Sequence, residues 1–263
     1  MSKRKCLDGK CFICGQVGKL TYEHIPPKVT FNNKPVKTNS GLDLLTKNDD
    51  NPLDTCGITY VNNQKGYGKC YLCQSCNNLS GTWYVPEYQK FILTIHFLVS
   101  KPDIVKVDQV HLSLNGLQTL PIIKQVMSMF CSVVGPINDE NLRKFLVNQN
   151  EKGLDKSKYR VCIYYNRGSI SRVIPITAKC STTDGVVVLA ELGFVPIGFL
   201  IYLDPKPNQS FKGTDITYFA NADFNEKSNI TFELNLYEYH LVIPKDFRTK
   251  QEIESQSQKL VSK

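Results

Sequence analysis

At 263 residues and 41% hydrophobic side chains, the chain can form one or two domains with a substantial apolar core, and no apolar run approaches a membrane span. This excludes an integral membrane protein and describes a soluble globular one without internal repeats. The formal charge of +8 and a pI near 8.9 favour an anionic partner; the excess is denser in residues 1–100, with 12 Lys and Arg against 7 Asp and Glu, than in 101–263, with 20 against 17.

The chain begins Met-Ser-Lys-Arg-Lys-Cys without the apolar stretch of a signal peptide, so a cytoplasmic location with reduced thiols is expected. Seven of the ten cysteines fall in the first 76 residues and mark an amino-terminal module. Cys11-Phe-Ile-Cys14 reads as a metal knuckle, followed by a turn at Gly15–Gly18 and a strand over 19–24 that Pro26 and Pro27 terminate. Residues 32–69, rich in Asn, Asp, Gly, Lys and Thr, read as an insertion with little apolar periodicity.

Cys73-Gln-Ser-Cys76 supplies a second pair of thiolates, and four in this spacing suit a closed tetrahedral zinc site. Cys70-Tyr-Leu-Cys73 overlaps it; Cys73 with Cys76 is preferred because Asn77 and Asn78 follow at once, as at a helix start that projects ligands. Cys6, Cys56 and Cys70 read as small buried residues or neighbours of the site. A helix is predicted from Pro86 through Leu98, with apolar residues at three- and four-residue steps. Trp83 and Tyr84 read as core in preference to base-stacking platforms.

A boundary is expected near residue 100. Beyond it, a strand over 104–114, helices over 120–133 and 139–150, and strands over 159–165, 169–178, 185–192, 197–203, 216–221 and 230–236 predict an α+β domain, 101–248, with a largely antiparallel sheet. His96, His111 and His240 read as packed or surface residues, and 249–263 as a polar tail, helical or frayed.

The chemistry concentrates at Glu23-His24, nine residues after the first knuckle on the element that a metal would fix. A histidine there can act as general base on water, with Glu23 holding a divalent cation. The order Cys-x-x-Cys, Glu-His-Ile-x-Pro, Cys-x-x-Cys-Asn resembles the HNH endonucleases of the zinc-bearing treble-clef type over about residues 11–90. That resemblance implies a ββα-metal module in residues 1–100 with four structural zinc ligands, Cys11, Cys14, Cys73 and Cys76. It also implies a catalytic magnesium or manganese held by Glu23 and Asn77, His24 as general base, and nucleic acid, DNA above all, as substrate. Lys28 is near enough to assist a phosphate.

The family's middle asparagine has no counterpart just before the third cysteine, where Gly68 and Lys69 stand; Asn62 and Asn63 are the nearest substitutes. The alternatives are a catalytically inactive zinc-stabilised nucleic-acid-binding or interaction protein, and a thiol redox protein using a Cys-x-x-Cys of low pKa.

Overall fold

The computed structural model describes residues 6–47, 53–101, 104, 107–181 and 185–261, with side chains as far as 255. The fold is α+β, and no helix among the described residues is long and apolar enough to cross a membrane.

Strands β1 (Asp8–Lys10) and β2 (Val17–His24) form a hairpin whose turn carries Cys11 and Cys14. Its turn closes through the Cys11 N–H on the Gln16 carbonyl and the Gly15 N–H on the Cys11 carbonyl, with Gly15 at φ +76° where a side chain would be strained. A two-stranded ribbon, β3 (Val36–Asn39) with β4 (Tyr60–Asn63), stands apart, its strands joined through α1 (Gly41–Thr46). Strand β5 (Gly68–Cys73) returns antiparallel to β2, giving a three-stranded sheet in the order β1-β2-β5.

From β5 the chain enters α2 (Gln74–Leu79), widens through a π turn at Ser80–Tyr84, and continues as α3 (Val85–Val99). Pro86 lies within the first positions of α3; its ring excludes a regular i→i−4 bond, which accounts for the widening. The expected helix is thus present, in register with its apolar stripe: Tyr88, Phe91, Ile92, Ile95 and Val99 are buried.

The second sheet, in the order β6-β12-β7-β10-β9-β8, contains β6 (Gln109–Leu117), β7 (Tyr159–Asn166), β8 (Arg172–Ser181), β9 (Gly185–Gly193), β10 (Ile197–Leu203) and β12 (Ser228–Tyr237); the short β11 (Thr214–Asp215) pairs with β7. Its pairings are antiparallel except β12 with β7. The strand expected over 216–221 is instead a 3-10 turn, Thr217–Asn221, because Thr217, Phe219 and Ala220 turn inward against helix α4 (Thr119–Val134).

Helix α4 is buried on every side from Thr119 to Ser132 and packs against α3, the 3-10 turn and the sheet. Its buried Lys124 donates to the carbonyls of Phe145 (2.5 Å) and Asn148 (2.6 Å), while the Tyr84 hydroxyl takes that of Leu146, so the carboxyl end of α5 (Glu140–Val147) finds its acceptors' partners inside the protein. One apolar cluster runs from Cys11 and Ile25 through Phe91 and Phe130 to Phe199 and Leu234, crossing residue 100. On the other face of the sheet, the chain after β12 lays Tyr239 and Phe247 over Tyr164, above a buried Arg172–Glu191 pair at 2.9 Å. Helix α6 (Lys250–Val261) ends the described chain.

Two expectations about the spare cysteines need correction. Cys6 and Cys70 form a disulfide, with a Cα–Cα distance of 5.6 Å, and Cys56 is exposed. Cys70 does not join the thiols around Cys73 because its sulfur is bonded to Cys6.

Candidate functional site

The four sulfurs of Cys11, Cys14, Cys73 and Cys76 all lie within 4.8 Å of one another, and Cys14 Sγ is 3.8 Å from Cys73 Sγ. A tetrahedron of sulfurs at the ~2.3 Å zinc–sulfur bond length has edges of ~3.8 Å, so the cluster has the dimensions of such a centre. Each thiol is placed by backbone: Cys11 and Cys14 by the hairpin turn, Cys73 at the cap of α2 and Cys76 in its first turn. Crowding four thiols also perturbs them. The Cys76 hydrogen bond pulls the Cys11 thiol down to about 4 and drives Cys76 up, while burial raises Cys14. A divalent cation could take the place of those shared protons, and an all-thiolate donor set suits zinc. Among the described residues this is the only group of three or more His, Cys, Asp or Glu side chains with converging ligand atoms.

His24 ends β2 opposite Gly68 of β5, and its Nε2 is 3.0 Å from the Lys65 carbonyl oxygen. A carbonyl only accepts, so Nε2 carries the proton and the lone pair belongs to Nδ1. The Tyr22 ring meets the imidazole edge-on at 5.2 Å. Asn77 donates through Nδ2 to Thr21 Oγ1 at 2.9 Å and to the Tyr22 carbonyl at 3.3 Å, and Thr21 Oγ1 donates to the Leu72 carbonyl. The amide therefore laces α2, β2 and β5 together.

Glu23 takes the opposite face of β2 from His24. Its carboxyl end is enclosed against α4, near Ser132, Cys131 and Cys11, and Oε1 has no hydrogen-bond partner. Burial pushes its acid up to about 8, partly offset by Ser132. Glu23 and His24 are therefore adjacent in sequence but not in direction. A magnesium or manganese ion asks for near-octahedral oxygen ligands, and the Glu23 carboxyl, enclosed against α4, is turned away from the face that His24 takes. The donor set does not fit that second ion. Lys28 is exposed on the loop after the prolines.

The residue that fixes this loop is Asn32, which sequence reasoning missed. Its Nδ2 donates to the carbonyls of Pro26 (2.7 Å) and Tyr67 (2.6 Å), and its Oδ1 accepts the Tyr67 N–H at 2.7 Å. A side chain on Gly66, at φ +91°, would strike the Asn32 carbonyl, and one on Gly68 the Glu23 carbonyl. The signal lay in Gly-Tyr-Gly at 66–68, a run that permits close backbone approach. Asn62 and Asn63 do not serve this role: both lie on the β3–β4 ribbon, where Asn63 donates to Thr38 Oγ1. Trp83 is half-buried in the π turn beside Tyr84.

Comparison with protein-family models, with curated proteins and with solved structures gives no match to this chain.

Proposed function

We propose that the chain is a zinc-stabilised hydrolase of nucleic-acid phosphodiester bonds, with His24 as general base. The observation that carries the reading is the His24 hydrogen bond to the Lys65 carbonyl, which sets the tautomer with Nδ1 as the basic nitrogen on a strand end braced by Asn32 and the four cysteines. In this reading Nδ1 accepts a proton from the water that attacks phosphorus. Lys28, Lys65 and Lys69 are exposed around the same strand ends and attract the phosphate backbone without reading sequence. Glu23 takes no part in this chemistry, because its carboxyl faces α4.

The test is nicking of supercoiled plasmid, with and without added magnesium or manganese, by the wild-type chain and His24→Ala at equal zinc content. General-base removal is expected to slow cleavage by roughly 10²–10⁴-fold while leaving DNA binding intact. Equal rates for the two proteins would remove His24 from the chemistry. The inward turn of Glu23 favours a second reading, a nucleic-acid-binding protein that does not cleave; plasmid binding without nicking by the wild type would select it.

A further inference from the structure

The β3–β4 ribbon pairs with neither sheet, and Tyr60 and Val61 are 50% and 60% exposed. It leaves the body of the protein next to the candidate site on both strands: β3 begins four residues after Asn32, and β4 ends two residues before Lys65, whose carbonyl holds His24. Its register pairs Lys37 with Asn62 and Asn39 with Tyr60, so one face presents an amine, an amide and an aromatic ring together. Lys37 Nζ sits 4.3 Å above the Tyr60 ring. The strands and their bases, residues 28–39 and 55–69, contain five lysines, Lys28, Lys34, Lys37, Lys65 and Lys69, and no Asp or Glu, while the connection between the strands, 40–54, carries Asp43, Asp49, Asp50 and Asp54 against Lys47.

We propose that this ribbon is a groove-contacting arm for duplex DNA. The inference rests on the nucleic-acid reading above and deepens it by naming the substrate form and the element that grips it. Two paired strands with their side chains fit the ~12 Å major groove of B-DNA, whereas the deep, narrow major groove of A-form RNA excludes them. Four residue pairs extend ~13 Å, and a stacked amine with an adjacent amide can meet phosphates and base edges along that length. Because the Gln64–Tyr67 loop joins the ribbon to His24, a duplex held by the arm is delivered to the histidine.

The test is binding of a mixed-sequence duplex of about 30 base pairs, followed by fluorescence anisotropy over a salt series, for the wild type, Lys34→Glu/Lys37→Glu and Lys34→Arg/Lys37→Arg. The Glu variant is expected to bind at least about tenfold more weakly, with a salt slope smaller by roughly 2, and the Arg variant to bind as the wild type. Both lysines are exposed, and neither lies on the three-stranded sheet or the large sheet, so metal content and melting temperature should match in all three proteins. A Glu variant of normal metal content with wild-type affinity and salt slope would overturn the proposal, as would tighter binding of single-stranded DNA or RNA than of the duplex. Plasmid nicking keeps the two readings apart: duplex binding through the arm without nicking contradicts only the role of His24, and nicking with arm-independent binding contradicts only the arm.

Discussion

Asn32 makes three hydrogen bonds with one side chain, and two of its partners lie on Tyr67, 35 residues away. Replacement by Ala strands the Tyr67 N–H and the Pro26 carbonyl in a half-buried loop, while the Tyr67 carbonyl keeps the Ile25 N–H, and each unsatisfied group costs about 1–3 kcal/mol. Asn32→Ala should therefore lose at least about 2 kcal/mol in urea unfolding and reduce any nicking activity, because the His24–Lys65 loop is released. Lys124 provides a pH test. Burial pushes its amine down to about 7, although two carbonyls accept from it. An unfolded lysine titrates near 10.4, so between about pH 7 and 10.4 the folded chain binds fewer protons than the unfolded one. The penalty for charging Lys124 is full below that window and fades as pH rises, so the stability of the wild type relative to Lys124→Met should increase from pH 7 to pH 9.5. A flat difference between the two urea midpoints would refute this. Local spacing made the four cysteines legible, because each pair lies within one turn. Asn32 was not, since nothing adjacent in sequence marks its partners.

At the scale of elements, period decided what could be read. The stripe Tyr88, Phe91, Ile92, Ile95 specified α3, and Pro86 marked its start. The polar insertion concealed the ribbon, whose strands bury almost nothing and so lack a two-residue hydrophobic alternation. Residues 216–221 misled in the opposite sense: their apolar residues satisfied a strand pattern but are drawn inward by α4. Strand β5 is obscured in the sequence because its cysteines fit a ligand spacing, although Cys70 pairs with Cys6. That bond closes a loop of 64 residues. Cys6→Ser should lose about 2–4 kcal/mol of stability while retaining the metal, because neither sulfur belongs to the four-cysteine cluster. Loss of the metal in this variant would show that the disulfide and the cluster are not separable.

Across the whole molecule, the module bearing the cysteines and the larger sheet share one apolar core, centred on α4. Arg143 of α5 donates to the Ile13 carbonyl inside the first knuckle, and Ser80 of the π turn donates to Gln125 of α4. The expected fold class was readable because hydrophobic patterning follows secondary structure; the packing of the two halves was not, because it depends on which buried faces meet. Everything proposed for His24 depends on four sulfurs acting as one metal centre that ties the β1–β2 hairpin to the start of α2. Elemental analysis of the chain, purified without added metal or chelator, tests this most directly, alongside Cys73→Ser/Cys76→Ser. About one zinc per wild-type chain, and almost none in the double variant, is the expected result. A wild-type chain folded without metal, or a double variant that keeps its full zinc, would contradict it.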